Sequence, residues 1–89
     1  GSIWTPADGI RWNSSSSETV VFNPSAGESF SLTGDTAFLW SLVVRGFSDT
    51  EIAAFLKEEH PDLDFTEVLA QVHEFTEASA AAGLVKNEA

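Results

Sequence analysis

From Glu28 to Val44 the hydrophobic period of the chain changes within a few residues, and no other stretch constrains the fold as strongly. Phe30 and Leu32 alternate with Ser29, Ser31 and Thr33, the period-2 pattern of a strand with one buried face. Phe38, Leu39, Leu42 and Val43 then recur at i, i+1, i+4 and i+5, the stripe of a buried helix. The residues before this junction read as strand and turn, and those after it as helix.

Thr19-Val20-Val21-Phe22 is β-branched and aromatic and runs into the turn-forming Asn23-Pro24-Ser25-Ala26-Gly27, so it pairs with Ser29 to Leu32 as a hairpin. Ile10-Arg11-Trp12 supplies a short first strand, which gives a three-stranded antiparallel meander with the Phe30 strand at one edge. Ile3 to Ile10, with Pro6 and Gly9, shows little periodicity. Asn13 with Ser14 to Ser17 is a polar connector, and its Asn13-Ser14-Ser15 sequon reads as loop.

Three helices follow. The first spans about Asp35 to Val44, capped at Thr33 or Gly34 and stopped by Gly46. Ser48-Asp49-Thr50-Glu51 is a capping box with Phe47 and Ile52 as its hydrophobic staple, so a second helix covers about Asp49 to Glu59 before His60-Pro61. Asp64-Phe65-Thr66-Glu67, with Leu63 and Val68, opens a third that runs to about Ala81 before Gly83; its apolar stripe is Phe65, Val68, Leu69, Val72 and Phe75. The expected class is α+β, winged helix-turn-helix-like, a three-stranded antiparallel sheet followed by three helices. Its shared core is expected to be Phe38, Trp40, Phe55, Leu56, Val72 and Phe75.

Eighty-nine residues allow one domain, residues 3–89, after a Gly1-Ser2 pair that reads as the remnant of a cleaved tag. A chain of this length buries only about 60% of its unfolded surface, so its large apolar side chains must share one core. The absence of cysteine removes disulfides, zinc-thiolate sites and thiol nucleophiles. No apolar run approaches the roughly 18 residues of a membrane span and no signal pattern opens the chain, so a cytoplasmic protein is expected. The net charge of −10 sets 14 acidic residues against Arg11, Arg45, Lys57 and Lys86. A duplex-binding protein neutralises about 6–10 phosphates, which these cations cannot do, so neither nucleic acid nor an anionic membrane is an expected partner. A basic or neutral peptide or protein suits the charge.

The sequence carries no nucleophile elbow, no glycine-rich phosphate loop and no paired His–nucleophile spacing, so no catalytic residue is expected, and no cofactor. His60, Asp62 and Asp64 sit close enough to suggest a metal, but Asp64 is better explained as a helix cap and His73 stands apart, so no metal ligands are assigned. Trp40 reads as a core anchor; Trp4 and Trp12 fit either strand packing or a partly exposed patch.

The run from Val20 to Leu56 resembles the PqqD-like family, also called RiPP precursor-peptide recognition elements. The features that carry the resemblance are the apolar strand Val20 to Phe22, Gly27, the strand end Phe30 to Thr33, Leu39-Trp40, Gly46, the cap Ser48 to Glu51, and Ile52-Ala53-Ala54-Phe55-Leu56. Phe75 to Val85, with Gly83-Leu84-Val85, is similar to the family's closing segment, although polar Thr76 and Ser79 stand where it often has leucine.

The resemblance implies a non-enzymatic winged helix that captures the leader segment of a ribosomal precursor peptide as an added strand, in a groove walled by the third helix. It also implies delivery to a separate maturation enzyme, such as a leader peptidase or a radical SAM enzyme; stand-alone members of this kind serve lasso-peptide pathways. The corresponding peptide-binding residues are Glu28, Ser29, Phe30, Ser31, Leu32 and Thr33 on the strand and Glu67, Val68, Gln71, Val72, Glu74 and Phe75 on the helix. Taken without the resemblance, Ser29 and Ser31 would merely blunt an edge strand, Val72 and Phe75 would pack the core, and the glutamates would face solvent. The other reading of the chain is an acidic winged-helix adaptor that binds a protein with no precursor peptide.

Overall fold

The change of period is realised as a direct strand-to-helix junction. In the computed structural model, which describes residues 2–88, the order is β1 (Trp4–Pro6), β2 (Arg11–Ser14), β3 (Thr19–Asn23), β4 (Glu28–Leu32), α1 (Gly34–Val44), α2 (Asp49–Glu59), α3 (Phe65–Ala81) and β5 (Val85–Asn87). Thr33 keeps extended backbone at the N-cap of α1, and Gly34 turns the chain with φ +55°, a left-handed value that a side chain would make costly. The Thr33 side chain makes no cap hydrogen bond, and the Thr33 carbonyl accepts the Thr36 hydroxyl at 2.8 Å.

β2, β3 and β4 form the expected antiparallel meander in that order. Val21 lies opposite Trp12 on one side and Phe30 on the other, and Phe22 lies opposite Arg11 and Ser29. Alternation therefore turns Trp12, Val21, Phe30 and Leu32 toward the helices and Arg11, Phe22, Ser29 and Ser31 away from them. A three-stranded antiparallel sheet followed by three helices is thus present as the sequence indicates.

A second sheet is new. β1 pairs antiparallel with β5, Thr5 opposite Lys86, so the two ends of the chain close on each other. The stretch from Ile3 to Ile10 showed no such strand because a three-residue ribbon has no measurable period and its partner lies at the far end of the chain. Gly1 lies outside the described residues. Ser2, expected to stand outside the fold, has a carbonyl that accepts the Asp49 N–H at 2.8 Å at the start of α2.

The start of α2 and the ends of α1 and α3 follow their sequence signals, whereas the cap expected at Asp64 is not closed by its side chain. Ser48 Oγ accepts the Glu51 N–H at 3.3 Å while Glu51 Oε1 accepts the Ser48 N–H at 2.9 Å, closing the capping box. After α1, Gly46 (φ +87°) donates to Val43 and Phe47 to Leu42, and after α3 Gly83 and Leu84 repeat the pattern onto Ala80 and Ser79. Asp64 stands at the α3 N-cap without a side-chain cap hydrogen bond.

The core joins Val21 of the sheet to Leu39, Trp40, Leu42, Val43, Ile52, Leu56, Val68 and Val72. Of the expected core residues, Trp40, Leu56 and Val72 are buried, Phe38 and Phe75 half-buried, and Phe55 is 37% exposed. Ile52, Ala53 and Leu56 define the inward stripe of α2, which leaves Phe55 off it to stack edge-on against Phe47 with centroids 5.0 Å apart. Phe65, placed in the α3 stripe, is likewise exposed. Thr76 and Ser79 are buried, and the Thr76 hydroxyl is satisfied within the helix by donating to the His73 carbonyl at 3.1 Å.

Candidate functional site

β4 is an edge strand. Its inner neighbour is β3, and among the described residues its backbone makes no further sheet pairing, so alternate N–H and C=O groups point outward unpaired. Beside that edge the inward-facing Phe30 and Leu32 meet the C-terminal half of α3. Phe75, Ala78, Ser79 and Ala82 follow at i, i+3, i+4 and i+7 along one face of the helix, and the small side chains after Phe75 leave room between helix and strand.

The space forms two depressions. One, of about 220 Å³, is lined by Phe30, Leu32, Thr36, Phe75, Ala78, Ser79, Ala82 and Leu84. The other, of about 320 Å³, is lined by Asp35, Thr36, Leu39, Gln71, Glu74, Phe75 and Ala78. Thr36, Phe75 and Ala78 belong to both, so the depressions run together as one groove along α3. The span from Gln71 to Ala81 is about 15 Å at helical rise, the length of four or five extended residues.

The residues expected from the sequence separate into groups. Phe30, Leu32, Gln71, Glu74 and Phe75 line the groove. Thr33 is the N-cap residue of α1 and lines neither depression. Val68 and Val72 are 0% exposed and belong to the core, because they lie on the inner stripe of α3 and leave no surface for a peptide. Glu67 is exposed near the start of α3 and lines neither depression. Ser31 faces away from the groove and donates to Glu18 across the sheet. Glu28 and Ser29 line a different depression of about 390 Å³, on the outer side of the sheet, with Arg11, Phe22, Asn23, Pro24 and Gly27.

Sequence reasoning missed Asp35, Thr36, Leu39, Ala78, Ser79, Ala82 and Leu84. The signal was present for the alanines and serine, in the helical spacing that continues from Phe75, but small residues leave no hydrophobic mark of a groove wall.

Two histidine–aspartate contacts flank the helices. His60, at the end of α2, places Nε2 2.8 Å from Asp35 Oδ2 in the first turn of α1. His73 places Nε2 2.9 Å from Asp49 Oδ2, joining α3 to the start of α2. Burial pushes the Asp49 carboxyl up, but the His73 hydrogen bond, the Thr50 N–H and the histidine's charge outweigh it and hold the group below its ordinary value. No group of three His, Cys, Asp or Glu that could hold a metal occurs among the described residues, and His60 is turned toward Asp35.

No helix is long and apolar enough to cross a membrane among the described residues. No curated protein matches the chain. The solved structure of TbiB1 in complex with the TbiA(beta) leader peptide superposes with a TM-score of 0.86 at 23% identity, covering 92% of this chain and 94% of that one, which establishes a shared fold. The family described as coenzyme PQQ synthesis protein D (PqqD) matches residues 18–85, from the residue before β3 to the first residue of β5. With about three-quarters of its length so matched, including the whole hairpin and all three helices, the chain belongs to the PqqD family.

Proposed function

We propose that the domain binds the leader segment of a ribosomally made precursor peptide as a strand added to β4, with the leader's inward side chains in the groove along α3, and presents it to a separate maturation enzyme. The observation that carries this reading is the coincidence of an unpaired strand edge with an apolar groove on the same side of the sheet. Membership of the PqqD family supports it, and so does the fold shared with TbiB1, a protein solved with a leader peptide bound.

The energetics are adequate. About four new backbone hydrogen bonds at roughly 1 kcal/mol each, with one or two buried apolar anchors at about 1.5–3 kcal/mol each, offset much of the association cost and support micromolar binding. Backbone pairing is blind to sequence, so selectivity falls to the groove. Nothing in this scheme asks the domain for chemistry; it is a binding module.

Titration of isotopically labelled protein with candidate leader peptides tests the proposal. Strand addition requires amide shifts concentrated on residues 28–33 and on the groove side of α3. The adaptor reading has its own supporting observation in the outer depression, where Phe22 is 45% exposed beside Arg11. Shifts confined to Arg11, Phe22 and Ser29 would favour that reading and remove strand addition.

A further inference from the structure

Resting on the leader-binding reading, we infer that the groove selects a strand with apolar side chains beside β4 and one long cationic side chain, lysine or arginine, toward Asp35 and Glu74. The two depressions differ in chemistry although they share a seam. The one beside Phe30 and Leu32 is lined without any formal charge. The one toward Gln71 has an apolar floor of Leu39, Phe75 and Ala78 and a rim that carries two carboxylates, from Asp35 on α1 and Glu74 on α3. That combination fits a side chain whose aliphatic stem lies on apolar surface while its charged head stays at the rim.

The chain's own lysines and arginines do not fill the place. Arg45 lies over the Phe47 ring at 5.4 Å, Lys57 donates to the Pro61 carbonyl at 2.7 Å, Lys86 reaches Asp8 at 3.3 Å, and Arg11 lines the outer face of the sheet. Asp35 already has His60 on one oxygen, and it stands where the positive end of the α1 dipole acts against a cation. Glu74 has neither handicap and carries the larger share of the preference. Because the rim is open to solvent, the preference is modest and salt-sensitive.

A phage-displayed library of random linear peptides panned on the domain tests the inference, followed by synthetic copies of the enriched sequences in which the cationic residue is replaced with norleucine. Enriched sequences should carry lysine or arginine at a fixed offset from an apolar pair, and the norleucine copies should bind about three- to tenfold more weakly at low salt. Glu74→Gln should remove most of that difference, and Asp35→Asn a smaller part of it. Asp8→Asn with Glu58→Gln, which removes charge outside both depressions, should preserve the difference.

Equal binding of the two copies, or a difference that Asp8→Asn with Glu58→Gln also erases, would overturn the cationic subsite while amide shifts on residues 28–33 still upheld strand addition. Failure to enrich any peptide, or shifts lying away from those residues, would overturn strand addition itself and the subsite with it.

Discussion

β2 and β4 are both edges of one sheet, each paired with β3, yet they offer a guest strand very different surroundings. β2 is four residues long and exposed throughout, with Arg11, Asn13 and Ser14 around a single aromatic. That aromatic, Trp12, leans inward and meets Trp40 edge-on with centroids 5.7 Å apart, which uses its face for packing. β4 instead sends Phe30 and Leu32 toward a helix whose facing positions are small, so an open groove runs beside its open edge. Unpaired backbone groups occur on both strands, and they do not by themselves make a receptor. The difference is made on α3, where Ala78, Ser79 and Ala82 withdraw the helix surface from the strand.

The largest test of this contrast pairs two aromatic truncations. Phe75→Ala removes the half-buried ring shared by both depressions and should cost about 2–3 kcal/mol in chemical denaturation, somewhat less than a fully buried phenylalanine. It should also weaken leader binding at least about tenfold, since an anchor of this size contributes more than about 1.4 kcal/mol. Trp12→Ala should cost about 2 kcal/mol of stability through the lost contact with Trp40. Its effect on peptide affinity at temperatures where both proteins stay folded should be negligible. Comparable losses of affinity in both variants would show that the two edges are not functionally distinct.

Phe75 serves both core and groove, so a variant that fills the groove alone sharpens the comparison. Ala78 is exposed and lines both depressions, and Ala78→Leu adds bulk there without opening a cavity. Stability should stay within about 0.5 kcal/mol of the parent, as for most surface substitutions. Affinity, read by fluorescence anisotropy of a labelled leader, should fall about tenfold because the added side chain competes with the guest's. Full affinity in Ala78→Leu would mean that the guest does not enter the groove. Charge reversal sorts the two glutamates in the same way: Glu74→Lys should weaken a basic leader by about three- to tenfold, and Glu67→Lys, outside both depressions, should change little.

What the sequence disclosed and what it withheld divide along physical lines. The hairpin, the three helices and their stops were legible because each is signalled locally, by alternation in Val20 to Phe22, by the Ser48–Glu51 box, and by Gly46 and Gly83. The β1–β5 ribbon was not, because Thr5 and Lys86 are brought together only by the folded core. On α3 the periodicity located an apolar stripe but could not divide it. Val68 and Val72 proved to be interior and Phe75 to be shared, a distinction that depends on where α2 and β4 pack against the helix. Asp35 escaped notice as a groove-lining residue because a carboxylate in the first turn of a helix is accounted for by the helix dipole alone.

The smallest effect lies on another side of α3, where His73 holds Asp49 at the start of α2. The Asp49 carboxyl is held below its ordinary value of 3.8 in the folded chain, so the stability it contributes is fully present above that value and is lost as pH falls below it through the folded-state value. His73→Ala removes the hydrogen bond and the charge responsible, and should cost about 1 kcal/mol near neutral pH, where Asp49 is ionised in both states. Denaturation of the two proteins at successively lower pH should show that gap narrowing below about pH 4, as protonation of Asp49 removes what the histidine stabilised. A gap that persists undiminished to about pH 2 would instead assign the loss to packing of the imidazole ring. Leader affinity at neutral pH should be the same for both proteins, because neither Asp49 nor His73 lines the groove. Altered affinity with unaltered folding would mean that the α2–α3 contact sets the groove's width, and the helix could no longer be divided into a structural side and a receptor side.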